Sequence, residues 1–118
     1  MKKSILIVDD DKDILEVLGH LSKALDTSPI LKDYHITLAE IENLAPDLIL
    51  LDHWLPVISG GDLCRQIKDH QPTTNIPVLL VSAVVNLPEL ASFCRADGYI
   101  AKPFDLEEIS KKMKVYLD

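Results

Sequence analysis

Four short apolar runs punctuate the chain, and each ends on a reactive side chain. Ile5-Leu6-Ile7-Val8 leads into Asp9-Asp10, Leu48-Ile49-Leu50-Leu51 into Asp52, Val78-Leu79-Leu80-Val81 into Ser82, and Tyr99-Ile100-Ala101 into Lys102. A run of this length bounded by polar residues reads as a strand buried on both faces. The predicted strands cover residues 5–8, 47–51, 76–81 and 98–101. Between them the apolar spacing lengthens. Ile14, Leu18, Leu21 and Leu25 recur at helical intervals behind Asp11, a residue type that caps helices. Asp26-Thr27-Ser28-Pro29 carries turn chemistry and closes that helix, and residues 30–33 read as loop. Tyr34, Ile36 and Leu38 alternate with His35 and Thr37, which predicts a strand over 34–39. Only residues 40–46 then remain before the next strand, room for about one helical turn.

Three more helices follow. One opens at Gly60-Gly61 with Leu63, Cys64 and Ile67 on one face, and a short one covers residues 87–95 with Pro88 in its first turn. The last carries Leu106, Ile109, Met113, Tyr116 and Leu117 behind Asp105, with Glu108 placed to complete a capping box. Strands alternating with helices predict an α/β domain, a parallel sheet covered on both faces.

At 118 residues one domain is expected, and the 47% hydrophobic content fills a core without staples. The net charge of -7 argues against a domain that grips nucleic acid or an anionic membrane by itself. Lys2-Lys3 before an apolar run is not a secretory signal, because Asp9-Asp10-Asp11 ends the run too early. No stretch approaches the roughly 20 apolar residues of a membrane span, so the cytoplasm is the expected location. Cys64 and Cys94 are too few and too far apart for a disulfide framework or a zinc site, and read as reduced core thiols.

If the four buried strands lie parallel, their carboxyl ends share one edge, where open α/β sheets bind ligands. Asp9, Asp10, Asp52, Ser82 and Lys102 then meet. Two carboxylates about 4 Å apart repel by roughly 4 kcal/mol at an effective dielectric of about 20. The cluster therefore needs a raised pKa or a cation. Oxygen donors without histidine or cysteine favour Mg²⁺ or Mn²⁺, and one such ion plus the Lys102 ammonium balances three aspartates. A metal, a lysine, a hydroxyl and a carboxylate suit phosphoryl transfer. Asp52, alone on its strand, is the candidate nucleophile, with Asp9 and Asp10 holding the metal.

The pattern resembles the receiver domain of two-component response regulators over the whole chain. The matching pieces are Ile5 to Asp11, Asp47 to Pro56 with Gly60, Val81-Ser82-Ala83, and Gly98-Tyr99-Ile100-Ala101-Lys102-Pro103-Phe104. The resemblance implies a flavodoxin-like, doubly wound, five-stranded parallel sheet in the order 2-1-3-4-5. It implies that Asp52 accepts a phosphoryl group from a sensor histidine kinase or histidine phosphotransfer protein. Asp10 and Asp52 would hold Mg²⁺ through their side chains, Asp9 partly through water, and Trp54 through its carbonyl. Lys102 would pair with the phosphoryl group, Ser82 would move to hydrogen-bond it, and Tyr99 would relay that movement. The relay surface is the fourth helix, fifth strand and fifth helix, where a downstream protein would dock. A cis peptide before Pro103 belongs to the same pattern.

Gly60 is read as a position of positive φ. His53 neighbours Asp52, but adjacent strand residues point to opposite faces, so it reads as packing. The second helix is expected to be very short or absent and the fourth short. Trp54 and Val84, two residues after Asp52 and Ser82, flank the path of attacking water in the family, and both are apolar here. The leading expectation is a single receiver domain over residues 1–118 without an output domain, a phosphoacceptor switch rather than an enzyme, monomeric or weakly dimeric. The alternative is a receiver-like interaction module that is not phosphorylated. A flavin carrier would set phosphate against Asp9-Asp10-Asp11, which would repel it.

Overall fold

The computed structural model describes residues 2–118. Five strands and five helices alternate: β1 (Ser4–Val8), α1 (Lys12–Ala24), β2 (Ser28–Lys32), α2 (Leu38–Leu44), β3 (Leu48–Leu51), α3 (Gly60–Asp69), β4 (Val78–Ser82), α4 (Leu87–Cys94), β5 (Gly98–Ala101) and α5 (Leu106–Leu117). All strand pairs are parallel, in the order β2-β1-β3-β4-β5.

The two faces of the sheet carry different helices. Leu6, Val8, Ile49, Leu51 and Leu80 pack with Ile41 of α2, Leu63 and Ile67 of α3, and Leu87 and Ala91 of α4. Ile5, Ile7, Leu48, Leu50, Leu79 and Val81 pack with Leu15 and Leu18 of α1 and with Ile109, Met113 and Leu117 of α5. Alternate residues of each central strand serve opposite cores, so these strands are apolar throughout. Each fully buried aliphatic side chain contributes about 1.5–3 kcal/mol to the folded state.

The second strand lies six residues earlier than the alternation at 34–39 suggests. β2 is an edge strand, bonded only to β1, and none of its residues is fully buried. An edge tolerates Pro29, whose missing N–H a central ladder would not. The turn before it is compact. Asp26 is left-handed with φ of 60°, its N–H donates to Lys23 O, and Thr27 N–H donates to Ser22 O. That is a Schellman closure of α1 with aspartate where glycine is usual. The strand starts at the next residue.

Because β2 ends early, residues 37–44 are free to form a helix. Thr37 is its N-cap, in a reciprocal capping box with Glu40, and seven residues of α2 follow. The second helix is thus short, as expected, but present. The cap of α5 also differs in detail: Asp105 accepts from Glu107 N–H. Asp11 caps α1 through the N–H groups of Asp13 and Ile14. Both cysteines are free and buried. The Cys64 thiol donates to Cys94 O at 3.4 Å, and its hydrogen bond with Cys94, together with burial, pushes its pKa far up. Among the described residues, no helix is long and apolar enough to cross a membrane.

Candidate functional site

The carboxyl edge of the sheet is held in register beyond the strands themselves. Asp9 N–H donates to Lys32 O at 3.1 Å and Asp52 N–H to Val8 O at 3.0 Å, extending two ladders by one residue each. This seats both aspartates at the sheet edge, 2% and 5% exposed, with Asp10 exposed beside them. One oxygen from each of Asp9, Asp10 and Asp52 lies within 4.8 Å of the others. Lys102 crosses from the end of β5, its Nζ donating to Asp9 Oδ2 at 2.7 Å and to Asp52 Oδ2 at 3.4 Å.

The electrostatics follow from this crowding. Burial raises the Asp9 pKa above its ordinary 3.8, and the neighbouring Asp52 charge adds to it, outweighing the Lys102 and Asp11 hydrogen bonds. For Lys102, burial alone would favour the neutral amine. The hydrogen bond to Asp9 and the attraction of both carboxylates win, and its pKa stands above 10.5. Three carboxylates against one ammonium leave a formal deficit of two positive charges. A hard divalent cation fits that deficit and this all-oxygen donor set.

Ser82 ends β4 fully buried, and its Oγ is the buried side-chain polar atom that lacks a hydrogen-bond partner among the described residues. A buried hydroxyl without a partner costs roughly 1–3 kcal/mol, which fits a group held ready for a ligand at this edge. Its carbonyl accepts from Lys102 N–H at 2.9 Å. The Lys102–Pro103 peptide is cis. Tyr99 is turned outward, 38% exposed. Lys112 of α5 sits 5.0 Å above its ring centroid and donates to its carbonyl at 2.7 Å. Trp54 is exposed at the rim, its N–H donating to Asp52 Oδ1 at 3.3 Å.

Two readings change. Gly60 has no positive φ. Glycine is required there because a Cβ would stand 1.9 Å from Asp52 O and 2.7 Å from His53 Cα. The start of α3 presses directly on the backbone of the site. His53 does more than pack: its Nδ1 accepts Gly61 N–H at 3.1 Å. No spacing rule marks this contact, since the partner is a backbone group eight residues on. The Lys112–Tyr99 contact was equally silent, because it joins two elements through a carbonyl.

Five predicted residues, Asp9, Asp10, Asp52, Ser82 and Lys102, thus share one edge of a sheet ordered 2-1-3-4-5, the arrangement of signalling receivers. A family model, the response regulator receiver domain, matches residues 5–114, and the chain belongs to that family. Among curated proteins it is 31% identical over 121 residues to the DNA-binding response regulator MtrA of Mycobacterium tuberculosis, covering 99% of this chain and 51% of MtrA. The chain spans about half the length of the curated relatives it matches. Among solved structures, the CheY-like receiver domain protein of Methanospirillum hungatei superposes with a TM-score of 0.89 at 30% identity, covering 100% of this chain and 95% of that one. The BeF3-activated receiver domain of DrrB, a Thermotoga maritima protein, gives 0.83 at 28% identity, with 99% and 98% covered.

Proposed function

We propose that this domain is a phosphoacceptor switch and that Asp52 is the residue modified. The observation that carries the reading is the convergence of Asp9, Asp10, Asp52 and Lys102 within hydrogen-bonding or metal-sharing distance at one sheet edge. The Asp52 carboxylate attacks the phosphorus of a phosphohistidine on a sensor kinase or phosphotransfer protein. The N–P bond breaks as the O–P bond forms, and the imidazole leaves as a neutral ring after taking up a proton. Asp9, Asp10, Asp52 and the Trp54 carbonyl would hold Mg²⁺ or Mn²⁺. When bound, the ion neutralises charge shared between carboxylates and phosphoryl oxygens.

Lys102 is already at the site with its ammonium charged, and swings from Asp9 toward the new phosphoryl oxygens. The unpartnered Ser82 hydroxyl donates to the same group. Its movement vacates space behind β4 into which Tyr99 turns, and the surface of α4, β5 and α5 changes for a downstream protein. Lys112 opposes that turn by its hold on Tyr99. The described activation of the DrrB receiver by a beryllium fluoride supports this chemistry for a chain of the same fold and family. We place the exchange in the cytoplasm.

The test is incubation with acetyl phosphate and Mg²⁺ followed by intact mass. A gain of one phosphoryl group, abolished by Asp52→Asn and by chelation, is expected. No gain from acetyl phosphate or from histidine kinases would instead make the domain an interaction module.

A further inference from the structure

We infer that His53 is a positioning residue for the metal edge: the lone pair of its Nδ1, by accepting Gly61 N–H, fixes the loop that presents the Trp54 carbonyl. This rests on the reading of Asp9, Asp10, Asp52 and Trp54 as the metal-holding set.

The loop from His53 to Ser59 leaves β3 and returns to start α3 directly over the Asp52 carbonyl. The first N–H groups of a helix have no partner within it. Here both ends of the loop supply one. Ser59 Oγ accepts Asp62 N–H at 3.1 Å, and His53 Nδ1 accepts Gly61 N–H at 3.1 Å. The His53 carbonyl takes two further donors, Leu55 N–H at 3.0 Å and Gly60 N–H at 2.8 Å. A single residue, bonded covalently to both Asp52 and Trp54, therefore gathers three backbone donors, one from the loop and two from the start of α3.

The chemistry of the ring is constrained. A backbone N–H can only donate, so Nδ1 must be unprotonated and the ring proton lies on Nε2. The ring is also wedged. A Cβ on Gly61 would meet it at 3.3 Å, and the Trp54 ring packs against it edge-on with centroids 5.0 Å apart. The segment 53–55 thus has little freedom, and the Trp54 carbonyl inherits that rigidity. A preorganised ligand loses less conformational freedom when it binds, which raises affinity. An anchor of a few bonds beside the metal site acts in the same way as the outer partners that orient metal ligands elsewhere.

Two variants separate the acceptor from the bulk. His53→Phe keeps a planar aromatic ring at this position and removes the lone pair. His53→Asn removes the ring but keeps an acceptor, its Oδ1, close to the position of Nδ1. Titration of the full chain with MgCl2, by calorimetry and by fluorescence of Trp54, the single tryptophan, reads the affinity. His53→Phe is expected to weaken Mg²⁺ binding by about five- to tenfold, the value of one hydrogen bond. His53→Asn should stay within about twofold of wild type, even where its thermal midpoint is the lower of the two. Equal affinity in His53→Phe and wild type overturns the inference, as does a loss in His53→Asn matching that in His53→Phe. Should neither variant fold, the nitrogen shifts of His53 in the wild-type chain decide. The Nε2–H tautomer supports the anchor, and the Nδ1–H tautomer overturns it. A wild-type chain that binds no Mg²⁺ would sink the metal reading itself, whereas binding indifferent to His53 sinks only the positioning role.

Discussion

Lys102 holds Asp9 more closely than it holds Asp52, with Nζ 2.7 Å from the first carboxylate and 3.4 Å from the second. The one ammonium at the edge is therefore committed mainly to the buried Asp9 carboxylate, and the candidate phosphoacceptor keeps the longer contact. Asp9 still has a raised pKa, burial being the largest cause. A folded state that binds a proton more tightly than the unfolded one gains stability that is fully present below the unfolded pKa, here 3.8, and lost as pH rises through the folded value. Lys102 is also raised, so its contribution disappears only above its own value, beyond 10.5. Above the raised folded value the metal-free domain carries the cost of an ionised, buried Asp9. Asp9→Asn should accordingly flatten the fall in stability as pH rises from 3.8 toward neutral and raise the metal-free thermal midpoint at pH 7. The same variant should lose most of the stabilisation by Mg²⁺. In wild type that stabilisation reaches about 2.7 kcal/mol at one hundred times the dissociation constant. Urea unfolding at several pH values, with and without Mg²⁺, checks both effects.

The contact of Gly60 with the Asp52 carbonyl makes a second expectation. An alanine Cβ there would lie 1.9 Å from a backbone oxygen, which cannot swing aside as a flexible side chain can. Gly60→Ala should cost about 1–3 kcal/mol or more by overpacking and slow phosphorylation by displacing the loop. Gly19 is the control. It lies inside α1, and the nearest atoms its added Cβ would meet outside the helix backbone are Leu31 side-chain carbons, no closer than 3.5 Å. Gly19→Ala should be neutral or stabilise by up to about 1 kcal/mol. Matching urea midpoints for the two variants would refute the steric account of Gly60.

Trp54 and Val84 set the expected lifetime of the modified state. Neither side chain can accept a proton from a water, and Trp54 is a large exposed group at the rim of the site. The phosphoryl group on Asp52 should therefore hydrolyse slowly. Val84→Glu or Trp54→Asn supplies a polar group beside the path of attack. About tenfold faster decay is expected, well below the roughly 10²–10⁴-fold effect of a fully positioned acid or base. Decay of the phosphorylated mass over time measures this, and unchanged rates in both variants would discard the shielding idea.

The central strands and the site were legible in the sequence for one physical reason. The central strands, buried on both faces, are apolar along nearly their whole length, so Asp9, Asp52 and Ser82, themselves buried, mark where the apolar runs end, while Lys102 follows β5, an edge strand in which only Ile100 is buried. The other edge strand, β2, lacks the signature of an unbroken apolar run. Pro29, Ile30 and Leu31 are at most half-buried, while the alternation at Tyr34, Ile36 and Leu38 imitated a strand. Of those three only Ile36 is buried, and Thr37 is a helix cap whose partner Glu40 stands at capping-box spacing. Contacts such as His53 with Gly61 N–H and Lys112 with Tyr99 O were not legible. Each depends on a backbone group brought near by packing, and backbone groups leave no letter in a sequence.

Lys68 gives the clearest stability test away from the site. Its side chain is 8% exposed, and its ammonium meets Asp97 Oδ2 at 2.6 Å, Ile76 O at 2.8 Å and Thr74 O at 3.4 Å. Asp97 Oδ2 also accepts Val78 N–H at 2.8 Å. One lysine near the end of α3 thus ties the approach to β4 to the approach to β5, at the opposite end of the strands from Asp52. Lys68→Met preserves the alkyl stem and strands the carboxylate and two carbonyls. A cost of about 1–3 kcal/mol is expected, because the two carbonyls lose a charged donor while the Asp97 carboxylate, 36% exposed, can turn to water. Asp97→Asn should cost less, since its amide can still serve one of the two donors. The double variant should fall short of the sum of the single ones, because the two residues act as one unit. Phosphorylation of Asp52 below the melting temperature should be unchanged, which separates this tie from the machinery of the carboxyl edge. Urea midpoints of the four chains measure the coupling, and strictly additive costs would show that Lys68 and Asp97 do not stabilise the fold together.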